Sequence, residues 1–254
     1  NHHILQFLFE VYQPASDKLS TSYSNVRYSL TELGLAEADI AYRKDPYIGP
    51  VPVSLEEYWT VVEGQDLRKH PINRNDVERA LSDVFGSDHL MPVLGPAINS
   101  GRALLLYGHA GTGKSYVASR VLNAMNTSVF IPYAVYADGN IIKVFSEHHH
   151  RRLDNSHSQI FVKLETHYDK RWVLCERPNI QVGGELTLDM LEVNHSEHNR
   201  VWIAPLQMMA NNGILVIDDL GRQSMPVDAL LNRWIVPMEY LFDHLALPNG
   251  QQVT

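Results

Sequence analysis

The hydrophobic positions of the chain fall into short runs that predict alternating strands and helices. Two of these runs are continuous, residues 103–107 (Ala-Leu-Leu-Leu-Tyr) and residues 214–217 (Ile-Leu-Val-Ile). A parallel strand that is buried on both faces reads as an unbroken apolar run of this kind. Residues 116–122 follow the first run with helical spacing, so a strand, a loop and a helix are expected in succession. The pattern therefore predicts an α/β fold with a mostly parallel sheet.

The first part of the chain has a different pattern. Residues 4–8 form an apolar cluster with helical spacing, residues 26–30 alternate like a short strand, and residues 31–34 suit a turn into a helix. This order resembles the back half of a winged helix-turn-helix domain. Such domains hold DNA or dock proteins, and no recognition helix rich in Arg or Lys is visible here. DNA binding through this N-terminal region stays an open alternative.

A proline-rich segment separates this region from the rest. Residues 45–52 carry three prolines, which favour extended backbone and suit a linker. Beyond it, Ser54 and Glu57 have capping-box spacing, and residues 75–81 open another helix. We therefore expect a partial winged-helix-like region at 1–45, a linker with adaptor helices at 46–95, and a core domain at 96–254.

Composition and charge narrow the class of protein. The chain has 254 residues, of which 44% are hydrophobic and 20% charged, so collagen-like and disordered classes are excluded. Its single cysteine, Cys175, cannot form an internal disulfide, and no apolar run approaches the roughly 18 residues that span a bilayer. The expectation is a cytoplasmic protein without a membrane partner. A formal net charge of −8 argues against a surface devoted to nucleic acid.

The sharpest chemical signal is a glycine-rich loop between the predicted strand and helix. It has the complete phosphate-binding pattern Gly-x-x-x-x-Gly-Lys-Ser, in Gly108, His109, Ala110, Gly111, Thr112, Gly113, Lys114 and Ser115. Its glycines allow successive backbone N–H groups to point into one anion-binding cavity, with Tyr116 next in the helix. Lys114 is expected to reach the β- and γ-phosphates of ATP, and the Ser115 hydroxyl is expected to bind Mg²⁺.

The second signal is the run at 214–217, which ends in two carboxylates, Asp218 and Asp219. The carboxyl end of a buried parallel strand opens into the ligand crevice of an α/β fold. Asp218 is therefore expected beside the Mg²⁺ ion. Asp219 is expected near the γ-phosphate.

Together the two motifs resemble an AAA+ ATPase. Residues 204–207 and 210–220 look like the corresponding segment of MoxR-type ATPases and bacterial enhancer-binding activators, and residues 229–232 and 247–251 are similar to the helix and hairpin before sensor 1. Residues 101–254 as a whole are similar to poorly described bacterial ATP-binding proteins that carry a winged-helix-like region. The resemblance implies a P-loop NTPase αβα sandwich that hydrolyses ATP and acts as a ring homo-oligomer on a protein partner.

The chain departs from that family at two places. The family usually has Glu, which polarises the attacking water, where this chain has Asp219. The resemblance implies the same role for Asp219 with altered geometry, because Asp is one methylene shorter. The sensor Asn, the arginine finger and the helical lid would lie beyond Thr254, so the expectation is a C-terminally incomplete core. Two insertions, at residues 129–145 with a hairpin turn at 137–140 and at residues 166–202, lengthen the core. The resemblance suggests that one of them engages the substrate.

Three functions follow from this sequence. The first is an ATP-hydrolysing AAA+ module that remodels a protein. The alternative is a nucleotide-dependent DNA-binding switch, such as a helicase loader or a transcription regulator, for which DNA retention would fall steeply with salt. The third is a scaffold that binds ATP without hydrolysing it.

Other suggestive residues have simpler interpretations. Residues 148–150 are three consecutive histidines without a closing carboxylate or cysteine, and we interpret them as a solvated loop rather than a metal site. Cys175 is interpreted as a small core residue. Gly183 and Gly184 suit either an approach to the nucleotide or a turn into a helix at 186–191. His109 is expected to contribute only its backbone.

Overall fold

The computed structural model describes residues 9–12, 27–44, 46–84, 86–125, 127–153, 168–196, 201–247 and 250–253. The chain divides into two compact units, a smaller one that ends at Ile48 and a larger one that begins at Gly49. No helix among the described residues combines the length and the apolar character that crossing a membrane would require.

The smaller unit contains a two-stranded sheet and one helix. Strand β1 (Phe9–Tyr12) pairs antiparallel with β2 (Arg27–Leu30), and helix α1 (Glu32–Lys44) follows at once. Thr31 caps this helix, because its hydroxyl accepts a hydrogen bond from the Gly34 backbone N–H at 3.0 Å. The predicted strand and the turn into a helix are thus confirmed. The expected apolar cluster at residues 4–8 lies outside the described residues.

The larger unit is built on a mixed five-stranded sheet in the order β3-β5-β6-β10-β9. Two of its four pairings are parallel and two are antiparallel, where the sequence predicted a mostly parallel sheet. The strands are β3 (Val53–Ser54), β5 (Ala134–Ala137), β6 (Asn140–Lys143), β9 (Asn194–His195) and β10 (Trp202–Ile203). The predicted hairpin turn is confirmed, since Asp138 and Gly139 both have positive φ, as a tight two-residue hairpin requires.

Three further strand pairs complete the larger unit. The pairs are β4 (Ser128–Pro132) with β7 (Trp172–Glu176), antiparallel; β8 (Asn179–Val182) with β11 (Ile214–Ile217), parallel; and β12 (Leu245–Ala246) with β13 (Gln252–Val253), antiparallel. Strand β11 of the β8–β11 pair is the apolar run that ends in the two carboxylates.

The helices of this unit begin at polar caps or at glycine and proline. They are α2 (Leu55–Gly64), α3 (Arg74–Ala80), α4 (Ser87–Asn99), α5 (Lys114–Ala124), α6 (Leu206–Met209) and α7 (Val227–Tyr240), with short 3₁₀ turns at Leu67–Lys69 and Leu188–Leu191. The capping box predicted at Ser54 and Glu57 is confirmed, since each side chain accepts a hydrogen bond from the other residue's backbone N–H.

Two hydrophobic clusters hold the larger unit together. One surrounds the five-stranded sheet and includes residues of β4, β7, β8 and α6. The other lies between α3, α4 and α5, around Val77, Leu94 and Val117. The helix that follows the glycine-rich loop is therefore anchored by packing along its buried face, while its first turn stays accessible.

The prediction of a buried strand at residues 102–107 is wrong for this structure. These residues lie outside every strand ladder, and Leu105 and Tyr107 are 70% and 89% exposed. Leu106 packs against the cluster of α3, α4 and α5, which Ile214 also contacts. An apolar run favours burial, but a strand also needs a neighbour whose backbone completes its hydrogen bonds, and none of the described residues supplies one here.

Candidate functional site

The glycine-rich loop leads directly into helix α5. Gly113 is the residue before the helix, and it adopts a left-handed conformation with φ of 80°. Gly111 has φ of 79°, and neither glycine has a heavy atom within 4 Å of where a Cβ would lie. Glycine is thus favoured at these two positions by the left-handed backbone conformation and not by lack of space for a side chain. Residues 108–113 are exposed, and the positive end of the α5 dipole lies at Lys114.

The Lys114 side chain folds back across this loop. Its ammonium group donates hydrogen bonds to the carbonyl oxygens of Gly108 at 3.0 Å and His109 at 2.8 Å. The Thr112 hydroxyl donates to the same His109 carbonyl at 2.9 Å. The Lys114 ammonium therefore lies over the backbone carbonyls of the first two residues of the loop. The backbone role of His109 in nucleotide binding stays a prediction.

Asp218 links the loop to the end of strand β11. The pKa of its carboxyl lies below the usual range, and the largest cause is a side-chain hydrogen bond with Ser115. Further contributions come from the Asp219 backbone N–H at 2.9 Å, the Gln181 amide at 3.2 Å and the charge of Lys114. A carboxylate surrounded in this way stays ionised. The structure thus brings together the two residues for which the sequence predicted a shared Mg²⁺ ion.

Asp219 has a different environment from Asp218. Its backbone is left-handed, with φ of 50°, which is uncommon for a residue other than glycine. Its exposed carboxylate pairs with the guanidinium of Arg222 at 3.2 Å. The two neighbouring carboxylates therefore have distinct surroundings: one faces the loop serine, and the other faces solvent beside a cation.

Tyr116 lies in the first turn of α5 and is held by two charged residues. Its hydroxyl donates to the Asp83 carboxylate at 2.6 Å and accepts from the Arg120 guanidinium at 2.6 Å. The same guanidinium lies over the tyrosine ring, 4.8 Å from its centroid. These contacts fix the orientation of the ring, and Asp83 and Arg120 were not predicted from the sequence.

The candidate metal ligands are oxygen atoms, which suits a hard divalent cation. The Ser115 hydroxyl and the Asp218 carboxylate lie together, and Mg²⁺ usually takes one or two such protein ligands with phosphate oxygens and water for the rest. Among the described residues no group of three His, Cys, Asp or Glu could hold a metal by itself. The donor set therefore fits a cation that arrives with a nucleotide.

Sequence reasoning missed three side chains around the carboxylates, namely Gln181, Arg222 and Gln223. Gln181 belongs to β8, and it reaches Asp218 only because β8 lies beside β11. Gln223 is buried in the turn that follows the carboxylates. No sequence signal distinguishes a glutamine of this kind from any other polar loop residue.

The glycine pair after β8 forms a turn. The Gly183 backbone N–H donates to the Glu185 carboxylate at 2.9 Å, and Gly184 lies against the Arg222 carbonyl. Of the two interpretations left open, the structure has the turn, although a short 3₁₀ segment at Leu188–Leu191 replaces the expected helix.

The interpretation of the histidine run as a solvated loop is wrong for His150. This residue is 3% exposed, and its ring stacks on Phe145 with 5.6 Å between centroids. Its Nδ1 accepts from the Ser146 backbone N–H at 3.0 Å, and its Nε2 lies 2.9 Å from the Met209 carbonyl. The correction has a physical cause, because two backbone partners satisfy both ring nitrogens and so allow burial.

Cys175 is a core residue, as predicted. It is fully buried in β7, opposite Val129 of β4, and burial raises the pKa of its thiol to about 11. A thiol with such a pKa is a poor nucleophile at neutral pH.

Neither a protein-family model nor a curated protein matches this chain.

Proposed function

We propose that this protein binds ATP with Mg²⁺ at the loop of residues 108–115 and hydrolyses it. The observation that carries the proposal is that Ser115 and Lys114 of the loop both lower the pKa of the Asp218 carboxyl at the end of β11, with Lys114 held across the same loop by two carbonyl oxygens. A glycine-rich turn without a nucleotide has no need for an acidic partner on its Ser115 hydroxyl. A site for Mg²⁺ and triphosphate requires that partner.

Binding would begin with the loop and Lys114. The backbone N–H groups of the exposed loop and of the first turn of α5 offer donors to the phosphates. The Lys114 ammonium now bonds two neutral carbonyls of the loop. Phosphate oxygens are stronger acceptors for a cation than carbonyls, so we expect the ammonium to move onto the β- and γ-phosphates. Tyr116 would border the same site, one position beyond Ser115.

Hydrolysis would be mainly electrostatic. Ser115 and Asp218 would hold Mg²⁺. The ion, when bound, would neutralise charge on the phosphate oxygens of ATP. Asp219 would accept a hydrogen bond from the attacking water and so orient it. Its carboxylate is exposed to solvent, with the Arg222 guanidinium 3.2 Å away.

The finer fold that accompanies this proposal is a P-loop NTPase αβα sandwich. Its support is the parallel pair of β8 and β11, together with the helix that follows the glycine-rich loop. By its resemblance to AAA+ ATPases, the module would act as a ring of identical subunits that remodels a protein partner.

The test compares two serines of the same helix. Ser115→Ala should weaken Mg²⁺-dependent ATP binding and lower phosphate release by about tenfold or more, because a Mg²⁺ ligand is lost. Ser119→Ala is the matched control, since the Ser119 hydroxyl donates only to the Tyr116 carbonyl within the helix, at 2.7 Å. Equal effects of the two substitutions in calorimetry and in a phosphate-release assay would reject the proposal. ATP binding without any phosphate release by the parent chain would support the scaffold alternative.

A further inference from the structure

A buried glutamine lies directly behind the two carboxylates. Gln223 is 8% exposed and occupies the turn between β11 and α7. Its side-chain oxygen accepts a hydrogen bond from the Gly221 backbone N–H at 2.8 Å. Its side-chain nitrogen lies 3.1 Å from the Gly183 carbonyl oxygen, 3.1 Å from that of Asp218 and 3.4 Å from that of Asp219. Both polar atoms of the Gln223 amide thus have backbone hydrogen-bond partners.

These partners belong to the ends of two different strands. Gly183 follows β8, and Asp218 and Asp219 follow β11, which runs parallel to β8. The amide of Gln223 therefore ties the two strand ends together at the edge that faces the loop. The same bonds hold the peptide of Asp219 in its left-handed conformation, which residues other than glycine adopt only when their surroundings enforce it.

We propose that Gln223 is a positioning residue for ATP hydrolysis, which fixes the backbone from which the Asp218 and Asp219 carboxylates project. This inference rests on the proposed function. Gln223 itself need not touch the nucleotide, because its amide is engaged by the backbone. A displacement of about 1 Å in a catalytic group can lower a rate by about a hundredfold, so a loosened turn should affect the chemical step more than ATP binding.

The role depends on a hydrogen-bond donor. All three partners of the Gln223 nitrogen are carbonyl oxygens, and only N–H groups can bond them. Gln223→Glu keeps the size and the acceptor for Gly221 but turns a negative oxygen toward these carbonyls. Gln223→Met keeps the approximate volume and removes both polar functions. If Gln223 served only to fill space, both variants would retain activity.

The experiment measures kcat and KM for ATP and the dissociation constant of ATP with Mg²⁺, at temperatures where circular dichroism shows each variant folded. We expect Gln223→Glu and Gln223→Met to lower kcat by about tenfold to a hundredfold, with the ATP dissociation constant changed by less than about threefold. Gln223→Asn, which keeps an amide of shorter reach, serves if the other two do not fold and should also lower kcat.

Gln207→Met is the matched control. The Gln207 amide also donates to a backbone carbonyl, that of Leu191 at 2.8 Å, and to Asp243 at 2.9 Å. It should lower the midpoint of thermal unfolding without lowering kcat.

The outcomes separate the two proposals. Hydrolysis by the parent chain with kcat unchanged in the folded Gln223 variants, or lowered equally by Gln207→Met, would overturn the positioning role alone. Failure of the parent chain to hydrolyse ATP would overturn the proposed function, and the positioning role with it.

Discussion

The Ser115 hydroxyl, in the first turn of helix α5, is the largest cause of the lowered pKa of the Asp218 carboxyl at the end of strand β11. The two residues belong to segments that lie far apart in the sequence. Helix α5 is held by the cluster around Val77, Leu94 and Val117, and β11 is held by its ladder with β8 and by Ile214, which packs against the same cluster. Two groups that packing holds in place are suited to bind a small cation in a fixed geometry.

Removal of the Lys114 charge should abolish ATP binding. Lys114 is the only Lys or Arg in the loop of residues 108–115, and no other cation there would offset the repulsion among phosphate oxygens. We expect Lys114→Ala to weaken ATP binding by at least about a hundredfold in calorimetry, since charge-assisted bonds to several oxygens are lost. Lys143→Ala, which changes an exposed lysine at the end of β6, is the control. Unchanged affinity in Lys114→Ala would contradict the assignment of the loop.

The two carboxylates should separate in their effects. Asp218→Ala should weaken the Mg²⁺-dependent part of ATP binding, because Asp218 is the carboxylate whose pKa the Ser115 hydroxyl lowers most. Asp219→Asn should keep ATP bound and lower turnover by about a hundredfold, as expected for loss of the group that orients water. Binding and phosphate release are measured on both variants. Hydrolysis at the parent rate by Asp219→Asn would exclude the role given to Asp219.

His150 should make the free energy of unfolding depend on pH. Burial is the main reason that its pKa lies below 6.5, and its Nδ1 accepts a hydrogen bond that protonation would remove. As the pH falls, His150 therefore takes up a proton at a higher pH in the unfolded chain than in the folded chain. The free energy of unfolding decreases as the pH drops below about 6.5.

Denaturant unfolding at pH 8 and pH 5.5 tests this dependence on the parent chain and on His150→Phe. The variant should lose about 1–3 kcal/mol at pH 8, because the Met209 carbonyl loses its partner. It should lose less additional stability than the parent chain on going to pH 5.5. An equal loss in both chains would show that His150 does not carry the pH dependence.

Gly213 should be intolerant of any side chain. A Cβ at this position would overlap the Pro178 carbonyl oxygen, which also accepts the first backbone hydrogen bond of β11 from Ile214 at 2.8 Å. A backbone oxygen cannot avoid the overlap by changing rotamer as a side chain can. We therefore expect Gly213→Ala to lower the free energy of unfolding by about 3 kcal/mol.

Gly64→Ala is the matched control for this prediction. Gly64 is the last residue of α2, and no heavy atom lies within 4 Å of where its Cβ would be, so alanine should be neutral or stabilising by up to about 1 kcal/mol. Similar losses in the two variants would contradict the role of close packing at Gly213.

The parts of this protein that its sequence determined are those whose partners lie a few positions away. The capping box of Ser54 and Glu57 and the hairpin turn at Asp138 and Gly139 each close within four residues. The turn of the glycine-rich loop into α5 at Lys114 is local in the same way. Local hydrogen bonds and backbone preferences are sufficient to specify such elements, because little chain entropy is lost in forming them.

Tertiary structure decided what depends on distant neighbours. The sequence could not show that Gln181 and Gln223 surround the carboxylates, since their positions follow from the pairing of β8 with β11. His150 is buried because the Met209 carbonyl lies 2.9 Å from its ring nitrogen. Residues 102–107, except Leu106, are exposed because no strand among the described residues pairs with them. Burial of a polar group or of an apolar run is settled by the partner that chain folding brings to it, and that partner is not encoded by the neighbouring residues.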